Sequence, residues 1–425
     1  MSLYAPLPLK LKTSRFVSGV RRAFLVDAEG LPEPYSTLYV TMKLRNTGLS
    51  VATQQAALNA VNVLFAHAAH ARVDLVARFK AGQLLDRIEC EALRRSVQAN
   101  HGPEAKRQAV VVAIGSGKRG YVPSVHPVAR GTEYQRLTYI ARFLEWLAGE
   151  VAGDSGDGRA ANITAMTENI QALRPNSPRA GKDVDTNAFT REDDALLRHL
   201  IAPGSTSNSF VPLVQVRNAL LIELLRLLGK RRGEVLNIRV RDIDFARCQI
   251  QFVRRADDKY DPRVNQPRVK TRTHTVPLGA NLASLIERYL VDRRDVPGAT
   301  KQPYLLVTHK AGPTQGQAMT IEALKEVFRT IKLSEPRLSH LHPHLLRHFN
   351  SDELARAQLN EEASSSSSER HRRQRNYLAG RAPESELDSQ YTQRETQRQA
   401  RVVSLRTQDE LSTIVGTVRK GPKDS

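Results

Sequence analysis

The stretch GDSGDGRAANITAMTENIQALRPNSPRAGKDVDTNA, residues 153–188, separates two helix-rich segments. It is rich in Gly, Ala, Asn and Pro, and that composition reads as an interdomain linker. A chain divided there folds as more than one body. With 425 residues and 40% apolar content there is ample material for buried cores on both sides, and the usual domain size predicts two or three domains.

On the N-terminal side, residues 1–45 mix Pro, Gly and short β-prone runs, which predicts an extended arm or small β region. Residues 46–152 read as a helical domain. A helix starts near Ser50, with Ser50 and Thr53 as capping residues and Leu58, Val61, Leu64 and Phe65 on one face. The helical pattern continues to about residue 97. Residues 98–130 contain GSGKRG, which lacks the full spacing and ending of a phosphate-binding loop. A further helix opens near Thr132, with Leu137, Ile140, Ala141, Leu144 and Leu147 as its apolar stripe. Taken alone, this region suits any helical bundle at least as well as a DNA-binding domain.

On the C-terminal side, residues 189–425 begin with a helix capped by Thr190 and Asp193, followed by a strongly apolar helical run up to Gly229. CQIQFV and RVKTRTHTVPL read as two strands joined by a long loop, and ANLASLIERYLVDRR and IEALKEVFRTI as amphipathic helices. Residues 364–375, five serines and then ERHRRQR, predict a flexible basic insertion whose Arg370, Arg372, Arg373 and Arg375 reach toward phosphates. The fold class predicted is mainly α with a small antiparallel β-sheet.

Lys and Arg number 64 against 44 acidic residues, a formal charge of +20. Such an excess favours a polyanionic partner, with nucleic acid ahead of an anionic membrane surface. A basic protein with no nucleic-acid role is the plainer alternative. Cys90 and Cys248 are too few for a disulfide framework or a Cys-rich zinc site, and their apolar neighbours predict buried thiols. The N-terminus has no apolar stretch resembling a signal peptide, and no run is long enough to cross a bilayer. A soluble, cytoplasmic protein is expected, associated with the nucleoid when bound to DNA.

Four features could carry chemistry. Arg231, in LLGKRRGEVLNI, follows a helix and stands three residues before Glu234. Lys270 lies on or near a strand. His344 and Arg347, in HPHLLRH, share one face of a helix, and Tyr391 sits in a polar, mostly helical tail. Singly, Arg231, Lys270 and Tyr391 each have a plain reading as a surface residue. His340, His342 and His344 alternate as metal ligands on a strand would. Pro343 breaks that strand, however, no acidic residue is nearby, and Arg347 would repel a cation, so no metal or other cofactor is expected.

Together, the order Arg, Lys, His-x-x-Arg, Tyr resembles the catalytic set of the tyrosine recombinases, the phage integrase family. The resemblance covers about residues 190–405 and, more weakly, the helices at 50–97 and 132–150. It rests on LLGKRRGEVLNIRVRDIDF for Arg231, KTRTHTVPL for Lys270, HPHLLRHF for His344 and Arg347, and YTQRETQRQ for Tyr391. Two departures stand out. The family usually has His or Trp after a Gly nine residues before the tyrosine; here Arg381 follows Gly380, ten residues before Tyr391. The interval from Arg347 to Tyr391 is also long, and the Ser- and Arg-rich insertion accounts for the surplus. Tyr377 is the rival nucleophile, although it precedes the Gly380 landmark.

The resemblance implies a helical core-binding domain joined to a recombinase catalytic domain, the two clamping double-stranded DNA. It implies that Tyr391 attacks a phosphodiester to leave a 3′-phosphotyrosyl link. Arg231 and Arg347 would clamp the phosphate, His344 would transfer the phenol proton, Lys270 would protonate the departing 5′-oxygen, and Glu234 would orient Arg231. It further implies a homo-tetramer on two DNA sites, accessory proteins of the same mobile element, and packing of the segment after Tyr391 against a neighbouring protomer. The alternatives are type IB topoisomerase-like relaxation and a catalytically inactive DNA-binding regulator.

Overall fold

The computed structural model describes residues 9–99, 111–113, 119–121, 127–152, 158–176, 189–269, 271–359, 373–374, 376–378 and 391–412. For 111–113, 119–121, 152, 355–359 and 391–399 it describes the backbone alone. The chain divides into two compact units, Met1–Lys182 and Asp183–Ser425.

In the first unit the N-terminal β region is an antiparallel hairpin, Lys10–Arg15 with Arg21–Val26. One face of it, Ala23 and Leu25, is fully buried in the same core as the helices. The helix predicted at Ser50 is Val51–His70, and Ser50 Oγ accepts the Thr53 N–H at 3.0 Å. Leu58, Val61, Leu64 and Phe65 all face the core. The next long helix, Arg130–Ala152, starts two residues before Thr132. It buries the whole expected stripe and sets Phe143 edge-on to Tyr39, with centroids 5.3 Å apart.

The expected linker is not a plain connector. Arg159–Ala172, inside 153–188, is a helix. Met166 and Ile170 are buried in the first unit's core and Ile163 packs against it. Their spacing of three and four is a helical stripe, which the surrounding Gly, Asn and Pro masked.

The second unit is built around the helix Pro212–Leu228, in which every residue from Val216 to Leu228 is buried, including Arg217, Glu223 and Arg226. Arg226 is paired at both ends: Nη1 donates to Asp194 at 3.0 Å and Nη2 to Glu223 at 2.8 Å. Asp194 comes from Arg191–Ile201, whose capping box between Thr190 and Asp193 forms as predicted. Three antiparallel strands, Ile243–Asp244, Gln249–Phe252 and His274–Pro277, lie in that order. Ile250 pairs with Ile243 on one side and Val276 on the other. The helices Ala280–Arg294, Ile321–Ser334, Pro343–Leu359 and Tyr391–Ser412 complete the unit.

Two further expectations are corrected. Cys90 is buried, but Cys248 is exposed. It occupies the tight turn between two strands, at φ +48°, where the side chain points out of the sheet's core. The 364–375 insertion is not wholly without structure: residues 373–374 are helical and Gln374 is buried. From Ala400 on, the described part of the segment after Tyr391 packs on its own unit. Ala400, Val403 and Leu411 enter that core, and Gln408 Nε2 donates to the Pro277 carbonyl at 3.0 Å. Among the described residues, no helix is long and apolar enough to cross a membrane.

Candidate active site

The site grows from the end of the Pro212–Leu228 helix. Gly229 closes it in the left-handed conformation, φ +58°, where glycine is favoured. A Cβ there would stand 2.3 Å from Asn350 Oδ1, so the close approach also needs glycine. Asn350 in turn donates through Nδ2 to the Leu227 carbonyl at 2.9 Å. Beyond Gly229 the backbone extends at Arg231 and enters the short helix Arg232–Val235. Glu234, its third residue, reaches back to accept the Arg231 N–H at 2.8 Å.

Glu234 is the hub. It is 1% exposed, and Oε1 accepts from Arg231 Nη1 at 3.2 Å and from Thr271 Oγ1 at 3.0 Å. Arg347 Nη1 is 3.9 Å from its other oxygen and donates to the Gly229 carbonyl at 2.9 Å. Two arginines far apart in sequence therefore converge on one buried carboxylate. Arg231 keeps 36% of its side chain in solvent, whereas Arg347 is buried. Gly233 makes room for this: a Cβ there would sit 2.5 Å from the Arg268 carbonyl, on the segment leading to Thr271.

Replacing Glu234 with alanine should cost about 3–5 kcal/mol, because a buried charge partner is removed from two guanidinium groups. Denaturant unfolding checks this. A loss below ~1 kcal/mol would show that the arginines do not depend on it.

His344 and Arg347 both lie on Pro343–Leu359. His344 is exposed and its ring meets His348 edge-on at 4.3 Å. Partial burial first, then His348 and Arg347, pull its pKa below the ordinary value. His342 Nδ1 accepts the Leu345 N–H at 3.1 Å, a cap on the helix start, and His340 lies 3.7 Å from Asp193. Each histidine of the cluster thus has its own neighbour.

Tyr391 is the first residue of Tyr391–Ser412, and its side chain lies outside the described residues. Lys270, Arg381, Arg370, Arg372 and Arg375 lie outside them altogether; Arg373 is half-buried. Tyr377 packs against the second unit's core, a placement that suits a structural residue.

Two residues here carry no sequence expectation. Lys230, between Gly229 and Arg231, is fully buried, and His274 stands 2.8 Å from its Nζ. Both were visible in the quoted motifs, but nothing in a linear string signals that they meet. Burial pushes the Lys230 pKa from 10.5 down to about 7, with Arg347 and Arg231 adding to the effect and Glu234 opposing it. Between those values the unfolded chain binds a proton that the folded chain does not, so stability rises with pH across that window. The wild type should therefore gain stability relative to Lys230→Met between pH 7 and 10. Parallel thermal melts with no change in the gap would contradict this assignment.

Compared with known families, residues 207–363 match the phage integrase family. That segment holds Arg231, Glu234, Lys270, His344 and Arg347. This segment, about a third of the chain, is similar to the tyrosine recombinase, or phage integrase, family. It is 27% identical to the tyrosine recombinase XerC of Staphylococcus aureus over 133 residues, 31% of this chain and 38% of that protein. The match thus spans under two fifths of the curated relative. Among solved structures, the XerH site-specific recombinase bound to difH substrate aligns over 91% of this chain and 94% of its own, with 14% identity and a TM-score of 0.38. XerA recombinase aligns over 92% and 99%, with 14% identity and a TM-score of 0.32.

Proposed function

We propose that the chain is a site-specific DNA recombinase or integrase that cuts and rejoins strands through a covalent 3′-phosphotyrosyl intermediate. The observation that carries this is the convergence of Arg231 and Arg347 on Glu234, with His344 on the same helix as Arg347. Transesterification of a phosphodiester spreads negative charge over the non-bridging oxygens. Guanidinium groups answer it with fixed charge and paired donors. Glu234 absorbs part of their mutual repulsion and holds Arg231 in place before DNA arrives.

Tyr391 is the nucleophile in this reading, supported by its place at the start of a helix that is packed on the same unit. A phenol ionises near pH ~10, so attack at neutral pH benefits from a base. His344 takes that proton. Lys270 supplies a proton to the departing 5′-oxygen; its neighbour Thr271 bonds to Glu234, which ties that stretch to the arginine turn. Arg381 is proposed for the position where the family has His or Trp. The arginines neutralise charge in the role that a divalent ion plays elsewhere, so no metal is called for. The covalent link conserves the energy of the broken phosphodiester, and a second 5′-hydroxyl reverses the step without a nucleotide cofactor. Exchange between two duplexes needs four such cuts, hence a tetramer on two sites.

The charge of +20 predicts binding dominated by counterion release. If six to ten phosphates are neutralised, affinity for duplex DNA should fall by about 10³–10⁵ between ~50 and ~200 mM salt. A flat response would remove the nucleic-acid reading. A two-site joining assay separates recombination from relaxation alone and from a binding-only regulator.

A further inference from the structure

Lys230 has no part in the chemistry above, yet it is the most completely enclosed cation beside the site. Its Nζ has three neighbours: His274 Nε2 at 2.8 Å, the Leu378 carbonyl in a close hydrogen bond, and the face of Phe252, 4.6 Å from the ring centroid. The tautomer of His274 follows from its own contacts. Nδ1 lies 2.9 Å from the Arg272 carbonyl, which only accepts, so Nδ1 carries the proton and Nε2 presents a lone pair. Lys230 therefore donates to both His274 and Leu378, and an amine has enough N–H groups for both whether or not it is charged.

Leu378 is the significant end of this arrangement. It is buried and stands 13 residues before Tyr391. The other end, Lys230, sits between Gly229, whose carbonyl holds Arg347, and Arg231 itself. Each of the two guanidinium groups is thus one residue, or one hydrogen bond, from the backbone that Lys230 anchors.

We propose that Lys230 is a positioning residue that clamps the Leu378 carbonyl to the arginine turn and so fixes the point from which the chain runs on to Tyr391. His274 accepts a second hydrogen bond from the lysine, and Phe252 forms the floor beneath its Nζ. The consequence for strand cleavage rests on Tyr391 being the nucleophile; the clamp itself does not. Attack needs the phenol held in near-attack geometry, and a misplacement of ~1 Å can cost about 10²-fold in rate. Loss of the clamp should therefore slow attack and leave DNA affinity alone.

The test uses the full chain, comparing wild type with Lys230→Met and His274→Phe. Hydrogen exchange is followed in peptides spanning 376–378 and, as an internal control, 212–228. Lys230→Met should raise exchange in the first region and leave the second protected. His274→Phe leaves the bond to Leu378 in place and should stay near wild type at 376–378. In single-turnover reactions on nicked duplexes of randomised sequence, Lys230→Met should form covalent adduct about three- to tenfold more slowly at unchanged Kd, the effect of a sub-ångström misplacement of the nucleophile. Unaltered exchange at 376–378 in Lys230→Met, or an equal rise in both variants, would overturn the clamp. If Lys230→Met loses protection in 212–228 as well, Lys230→Gln, too short to span to Leu378, gives the same comparison. A wild-type protein that forms no adduct on any duplex would instead sink the recombinase reading, while the exchange data still decide the clamp.

Discussion

Arg347→Ala is expected to lower covalent adduct formation by at least about 10²–10³, the usual loss when one preorganised donor is taken from a developing anion. Arg347 is placed for such an effect. It is buried, its guanidinium is held by the Gly229 carbonyl at 2.9 Å, and it shares Glu234 with Arg231. Water cannot readily replace a fixed charge in that position. Arg347→Lys keeps a charge but loses the planar fork, so it should fall between wild type and alanine. DNA affinity should change little, since one phosphate contact among many is lost. Stability should fall by ~1–3 kcal/mol, because the Gly229 carbonyl loses its buried donor. Single-turnover cleavage of a nicked duplex separates these effects. A rate within tenfold of wild type would show that Arg347 is a structural arginine only.

Tyr391→Phe is the second large effect. It removes one hydroxyl and nothing else from the first residue of a helix whose docking depends on Ala400, Val403, Leu411 and Gln408. Fold and DNA affinity should be retained and adduct formation should be lost entirely, because no other atom can take over the nucleophile's role. Tyr377→Phe should remain active, since Tyr377 is packed against the core. His344→Ala should be milder than Arg347→Ala. General-base assistance is worth ~10²–10⁴ and solvent replaces part of it at a ring that is already exposed.

Much of this site is legible in the string because its parts are local. The Gly229 helix stop, the return of Glu234 to Arg231 and the His344–Arg347 spacing depend on neighbours three or four residues away, where periodicity and capping operate. The helices of both units are legible for the same reason, and so are the capping box at Thr190 and the N-cap at Ser50. What was hidden is non-local or obscured by composition. Arg159–Ala172 carries a clear apolar stripe, but Gly, Asn and Pro on either side give it the look of a linker. Cys248 has apolar neighbours in sequence, yet it lies in a turn with positive φ that turns it outward. The meeting of Lys230, His274 and Leu378 spans nearly 150 residues of chain, and no pattern in any one segment announces it. The docking of the last helix on its own unit likewise rests on contacts with Pro277 and Gly279, far upstream.

The most direct test is chemical identification of the residue joined to DNA. The wild-type protein is trapped on a nicked duplex that releases a short fragment on cleavage, digested with protease and nuclease, and sequenced by mass spectrometry. A nucleotide linked through its 3′-phosphate to the Tyr391 phenol, in excess EDTA and absent from Tyr391→Phe, is the predicted result. Linkage at Tyr377, linkage to a 5′-phosphate, or an adduct that forms only when a divalent metal is restored would contradict the mechanism.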